Sequence, residues 1–198
     1  MGDCKMNRLA KAIRSVTLAP VMAGIMLTLV YVTKPQVMGR VNSFWWGIFF
    51  LTVLPILAYP LQPYIPGYRE KGREGQRGLA MVFAVAGYLM GVIANFVLKA
   101  PRGMWMIYLE YLLSGLLILL FNKCLGLRAS GHACGVAGPA ALLVYFRIPA
   151  LIPGLIILAL TWWASLRMKR HTAGQLLGGT AIPVAVILVL TLLEKITL

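Results

Sequence analysis

His132 and His171 are the only two histidines in the chain, and each stands among groups that suit phosphate chemistry. His171 and Gln175 are four residues apart, a spacing that puts both on one face of a helix. Gln175 is then placed to accept the Nδ1–H of His171 and hold Nε2 outward as a nucleophile or base. His132 belongs to the run Arg128-Ala129-Ser130-Gly131-His132-Ala133-Cys134-Gly135. Ser130 suits a helix N-cap and sets His132 in the first turn, where unpaired amides and the positive dipole end favour a phosphate. A third segment, Arg69-Glu70-Lys71-Gly72-Arg73-Glu74-Gly75-Gln76-Arg77, packs four cations into nine residues and could wrap an anion.

Each segment also has a plainer meaning. The cationic one reads as a solvated loop, His132 as an interfacial histidine satisfied by water, and the His171 segment as a basic loop closed by a polar pair. No carboxylate accompanies the histidines in their own segments, so metal binding ranks well below phosphate chemistry, and haem lower still. No cofactor is expected.

The elements that must position these residues follow from composition. Of 198 residues, 60% are hydrophobic and only 12% charged, and the mean hydropathy is +0.83. Soluble domains carry about a quarter charged residues. The charges here fall between apolar runs near the length, about 20 residues, that a helix needs to cross a bilayer. Candidate spans are 16–33, 43–61, 79–98, 103–121, 131–146, 149–168 and 172–193, the fifth short enough to tilt or cross only in part. The expectation is an all-α, polytopic transmembrane bundle of six to seven spans, residues 1–198 forming one domain whose motif-bearing core covers about 60–180.

The first span resembles a signal peptide but lacks a small-residue cleavage site before the next span, so it is read as a retained helix behind a basic tail, 1–15. Glycines four apart at Gly87/Gly91, Gly131/Gly135 and Gly174/Gly178 predict close helix approaches. Glu110, in a central span, is a costly intramembrane carboxylate, with Asn95 a candidate partner. Cys4, Cys124 and Cys134 imply no disulfide framework, and Cys134 reads as a packing residue.

Counting spans puts the N-terminus, the 62–78 loop, the 122–130 loop and the 165–171 loop on one membrane face. The formal charge of +14 does not mark a nucleic-acid binder, because the cations sit in short loops with no basic helix or aromatic sheet to read bases. They orient helices, meet anionic head groups and line an anion site. The motif face holds 13 of the 19 Lys/Arg, a balance that leans toward the cytoplasm.

At these residues the chain resembles the type-2 phosphatidic acid phosphatase superfamily, membrane lipid phosphatases related to vanadium haloperoxidases. Ser130-Gly131-His132 matches the family's second motif, and the run to Gly138 resembles a bacterial and archaeal subgroup. His171-Thr172-x-x-Gln175 matches that subgroup's third motif, where Gln stands in the Asp position. Two features depart. Ser165 occupies the place of the third-motif arginine, and in the first motif Lys71 and Arg77 are one residue too close, with Gly78 in place of proline.

The resemblance implies a prokaryotic membrane hydrolase acting on phosphatidic acid, phosphatidylglycerophosphate or a polyprenyl phosphate or diphosphate, without a metal. Lys71, Arg77, Arg73 and Arg128 would clamp the phosphoryl oxygens with help from Ser130 and Gly131. His171 would attack phosphorus, and His132 would protonate the departing alkoxide. The alternative is a non-catalytic lipid-phosphate binding or transport protein that keeps the pocket. Membrane lipids are the expected surroundings in either case.

Overall fold

A computed structural model describes residues 2–196, with side chains from residue 5 onward, and the described secondary structure is helical throughout. The side chain of Cys4 lies outside the described residues. The helices are α1 (Gly2–Val16) and α2 (Ala19–Thr33), then α3, the continuous helical run Val41–Tyr64. They continue with α4 (Gly72–Val97), α5 (Arg102–Lys123), α6 (Gly131–Tyr145), α7 (Leu151–Arg167) and α8 (Ala173–Ile196).

Four of these stretches are long and apolar enough to cross a bilayer: α3, Arg69–Val97, α5 and α8. A fifth appears if α1 and α2, bent by 55° at their break, count as one. By itself α2 has 15 residues, so at 1.5 Å per residue it covers about 22 Å of a hydrocarbon core about 30 Å thick. α6 and α7, at 15 and 17 residues, are also short. Large apolar side chains such as Trp45, Trp46, Phe96, Leu155, Leu188 and Leu192 stand exposed, which suits a surface bathed in lipid rather than water. The chain is built to be embedded in a membrane.

Two expectations about polar segments change. The expected basic tail, 1–15, is helical over its described residues: Gly2–Val16 form α1, which packs on α7. The cationic segment is not an open loop either. A short 3₁₀ turn, Arg69–Lys71, leads straight into α4, so Arg73 and Arg77 project from its first two turns. Buried Gln62 donates to the Tyr68 carbonyl at 2.8 Å and pins the chain ahead of that turn.

The helices gather into two compact units, where composition alone suggested one domain. One comprises Ala23–Leu112, the other Met1–Met22 and Leu113–Leu198. In the first, Gly87 lies against the Phe50 backbone carbonyl and Gly91 against the Tyr108 ring, so that glycine pair does let neighbours approach closely. Glu110 is 2% exposed there and Asn95 3%. In the second unit α6 and α8 run parallel. The Ser130 amide donates to the Gln175 carbonyl at their starts, and the Tyr145 hydroxyl donates to Glu194 Oε2 near their ends. α7 packs on α6 and is tied to α8 by Trp162 Nε1–H donating to Thr180 Oγ1 at 3.1 Å.

The glycine pattern of this unit is partly displaced from its expected place. Gly135 does pack tightly, on Ala19, but Gly174 faces open space and Gly178 makes only ordinary contact with Ala129. The close approach falls on Gly179, pressed against the Ser130 backbone.

Candidate active site at the starts of α6 and α8

Ser130 is wholly buried and organises the site. Its side chain caps α6, with Oγ accepting from the Ala133 amide at 3.2 Å, and its own amide is spent on Gln175 at 2.8 Å. Ser130, expected among the phosphate ligands, caps α6 and clasps α8. What the α6 start offers an anion is the N–H groups of Gly131 and His132, for which a helix supplies no internal acceptor. Gly131 is exposed and His132 half-buried. Arg128 is exposed in the loop just before, held by Asn122 Nδ2 donating to the Ala129 carbonyl at 3.1 Å.

At the α8 start the polar pair takes the expected form, with an addition. Thr172 and Gln175 make a capping box: the Gln175 amide reaches Thr172 Oγ1 at 3.4 Å, and Gln175 Oε1 accepts from the Thr172 amide at 3.3 Å. His171 Nδ1 lies 3.1 Å from that same Oε1. A backbone N–H can only donate, so the oxygen is an acceptor and Nδ1 must carry the imidazole proton. In the neutral ring the lone pair is therefore on Nε2. The chain reaches His171 through a tight C-cap on α7. Lys169 sits in the left-handed region at φ 51°, with the Arg170 amide donating to the Ser165 carbonyl at 3.0 Å.

The proton of His132 is assigned the same way. Thr17 Oγ1 donates its one hydrogen to the Ile13 carbonyl at 2.8 Å, so toward His132 Nε2, 3.1 Å away, it can only accept. His132 thus carries its proton on Nε2. Each ring is thus fixed through one nitrogen, His171 through Nδ1 on Gln175 and His132 through Nε2 on Thr17.

α1 contributes more than sequence reasoning assigned to it. Besides Thr17 on His132, Arg14 Nη1 donates to Ser165 Oγ at 2.5 Å. Ser165 is wholly buried and passes its own hydrogen to the Thr161 carbonyl at 2.7 Å. Arg14 and Thr17 are three apart, so one helix face carries both contacts. The spacing was legible; that this face meets α6 and α7 was not.

Lys71, Arg73 and Arg77 belong to the other compact unit, all exposed where α4 begins. Glu110 lies in that unit too. Among the described residues, no three His, Cys, Asp or Glu side chains gather as a metal site would need. No family model, curated protein or solved structure matches this chain.

Proposed function

We propose that the chain is an integral-membrane phosphatase that hydrolyses a lipid phosphate through a phosphohistidine. The observation that carries this is the Ser130 amide bonded to the Gln175 carbonyl, because it sets two helix starts, and the histidine beside each, at one end of one unit. His171 Nε2 attacks phosphorus, and the P–O bond to the lipid breaks as the N–P bond forms. As the imidazolium, His132 gives one of its two ring protons to the departing alkoxide. His132, now neutral, takes a proton from water, whose oxygen displaces phosphate from His171. Arg128, with the α6 amides, is the group of this unit proposed to hold the phosphoryl oxygens.

A substrate whose tails stay in lipid suits a site at the end of apolar helices. Phosphatidic acid, phosphatidylglycerophosphate and polyprenyl phosphates or diphosphates are the classes to test. We place the protein in a prokaryotic cell membrane with the site on the cytoplasmic face. The short α6 and α7, about 22 and 26 Å long by the 1.5 Å rise, complete a bundle of six to seven spans.

Purified protein should release phosphate from such lipids with no added metal, at a rate EDTA leaves unchanged. Strict metal dependence, or no release across the panel, overturns this function. A binding or transport protein is the second reading. It is favoured by Gln175, whose amide cannot stabilise the His171 imidazolium as a carboxylate would.

A further inference from the structure

We propose that the outer side of α1 is a seat for anionic lipid. The helix lies in the bilayer surface, with Met6, Leu9 and Val16 in the acyl region and Arg8 and Lys11 on head-group phosphates. The inference goes beyond the phosphatase reading and does not rest on it.

Three stripes run along α1. The inner one, Ala10, Arg14 and Thr17, faces the protein: Ala10 and Thr17 are buried, and Arg14 and Thr17 bond Ser165 of α7 and His132 of α6. The second, Met6, Leu9, Ile13 and Val16, recurs at steps of three and four, and all but half-buried Ile13 stand exposed. The third, Arg8, Lys11 and Ser15, is exposed as well. At 3.6 residues per turn the apolar and cationic stripes centre roughly 150° apart. One therefore points into hydrocarbon when the other points at head groups, the arrangement of an interfacial helix. Lys5 sits on their border, where its stem can follow the apolar stripe while its ammonium reaches outward.

The surroundings exclude the other placements. Lys5, Arg8, Lys11 and Arg14 fall too close together for α1 to cross the bilayer core, and its exposed apolar stripe is ill suited to water. α2 carries no charged residue and takes the chain into lipid, after a bend of 55°. α6 holds that bend, with His132 on Thr17 and Gly135 against Ala19, so α1 is fixed off the line of α2 beside the point of entry. The charge is complementary to a lipid surface. Residues 1–22 and 113–198 contain 11 Lys/Arg against two acidic residues, Asp3 and Glu194, and Glu194 bonds Tyr145 near the end of α8. Two carboxylates cannot balance that excess, whereas a layer of lipid phosphates can.

The test uses the full chain in phosphatidylcholine nanodiscs, in a Cys4→Ser, Cys124→Ser background that leaves buried Cys134 in place. A dye is attached in turn at Leu9→Cys, Val16→Cys and Lys11→Cys, all exposed positions. Spin-labelled acyl chains should quench it at 9 and 16, and aqueous acrylamide at 11. Dilute spin-labelled phosphatidylglycerol should quench at 9 more strongly than spin-labelled phosphatidylcholine. Arg8→Gln with Lys11→Gln should cut that preference by about fivefold for each cation removed. Phosphatidylglycerol is a phosphodiester that the proposed reaction does not consume, so failure here leaves the phosphatase standing. Acrylamide quenching at all three positions overturns the seat by placing α1 in water, and acyl-chain quenching at all three overturns it by sinking the helix. Shielding from both quenchers, with cross-links between two chains, makes the face a contact between copies and also overturns it. Equal quenching by the two lipids overturns the anionic preference and with it the proposal.

Discussion

Gly179 lies against the carbonyl of Ser130, so close that a Cβ at 179 would overlap the oxygen. That contact and the Ser130–Gln175 hydrogen bond are made on the same buried residue, and together they set how near the start of α8 stands to the start of α6. The geometry of the two histidines depends on it.

Gly179→Ala should therefore separate the helix starts. A methyl forced onto backbone costs typically 1–3 kcal/mol, and here it also loosens the hydrogen bond behind the site. The expected outcome is a lower Tm in detergent and a loss of phosphate release larger than the stability change accounts for. Gly174→Ala, facing open space, should leave both unchanged or raise Tm slightly. Equal behaviour of the two variants would mean that the approach at Gly179 does not govern the site.

His171 and His132 should separate kinetically. Acid-labile, base-stable phosphate should be trapped on wild-type protein quenched during turnover, and none on His171→Ala. His132→Ala should slow turnover about 10²- to 10⁴-fold, the usual contribution of a positioned acid–base group. A leaving group that needs no protonation, such as a nitrophenolate, should recover much of that loss. Phosphate trapped on His171→Ala would remove this residue as nucleophile.

Gln175→Glu keeps an acceptor for the Thr172 amide and adds a negative charge beside Nδ1 of His171. That charge favours the imidazolium and raises the His171 pKa. Attack needs the neutral ring, so the acidic limb of the kcat/KM profile should move to higher pH. The plateau above it should rise, because the phosphorylated ring is cationic. A profile with an unmoved acidic limb would show that Gln175 only caps the helix.

Cys124 is exposed and Cys134 buried, which gives a topological assay. In a Cys4→Ser background, a membrane-impermeant maleimide should label Cys124 and spare Cys134. With the site on the cytoplasmic face, labelling should occur in inside-out vesicles and not in intact cells. The reverse pattern would place the site outside.

Much of this protein is local, and local features are legible in sequence. Apolar runs set the helices, because each must satisfy its own backbone in lipid. The ends of α5, α6, α7 and α8 fall within three residues of where the runs predict them. The cap at Ser130 and the His171–Gln175 pair follow from spacing along one helix. The helix in the basic N-terminal segment and the early start of α4 at Gly72 were missed, because cations and glycines resemble loop in composition while the backbone there is helical.

What spacing cannot encode is which faces meet. Arg14 and Ser165 are 151 residues apart, and nothing in either segment names the other. Gly179 and the Gly174/Gly178 pair are equally plausible contact glycines on paper. Only the packing of α8 on α6 selects Gly179, since a one-residue step turns a side chain about 100° around a helix. The sequence by itself determined a membrane-embedded helical chain with two histidines near helix starts. The tertiary structure decided that α1 meets α7 and reaches His132 through Thr17, which imidazole nitrogen carries each proton, and which arginine stands at Ser165.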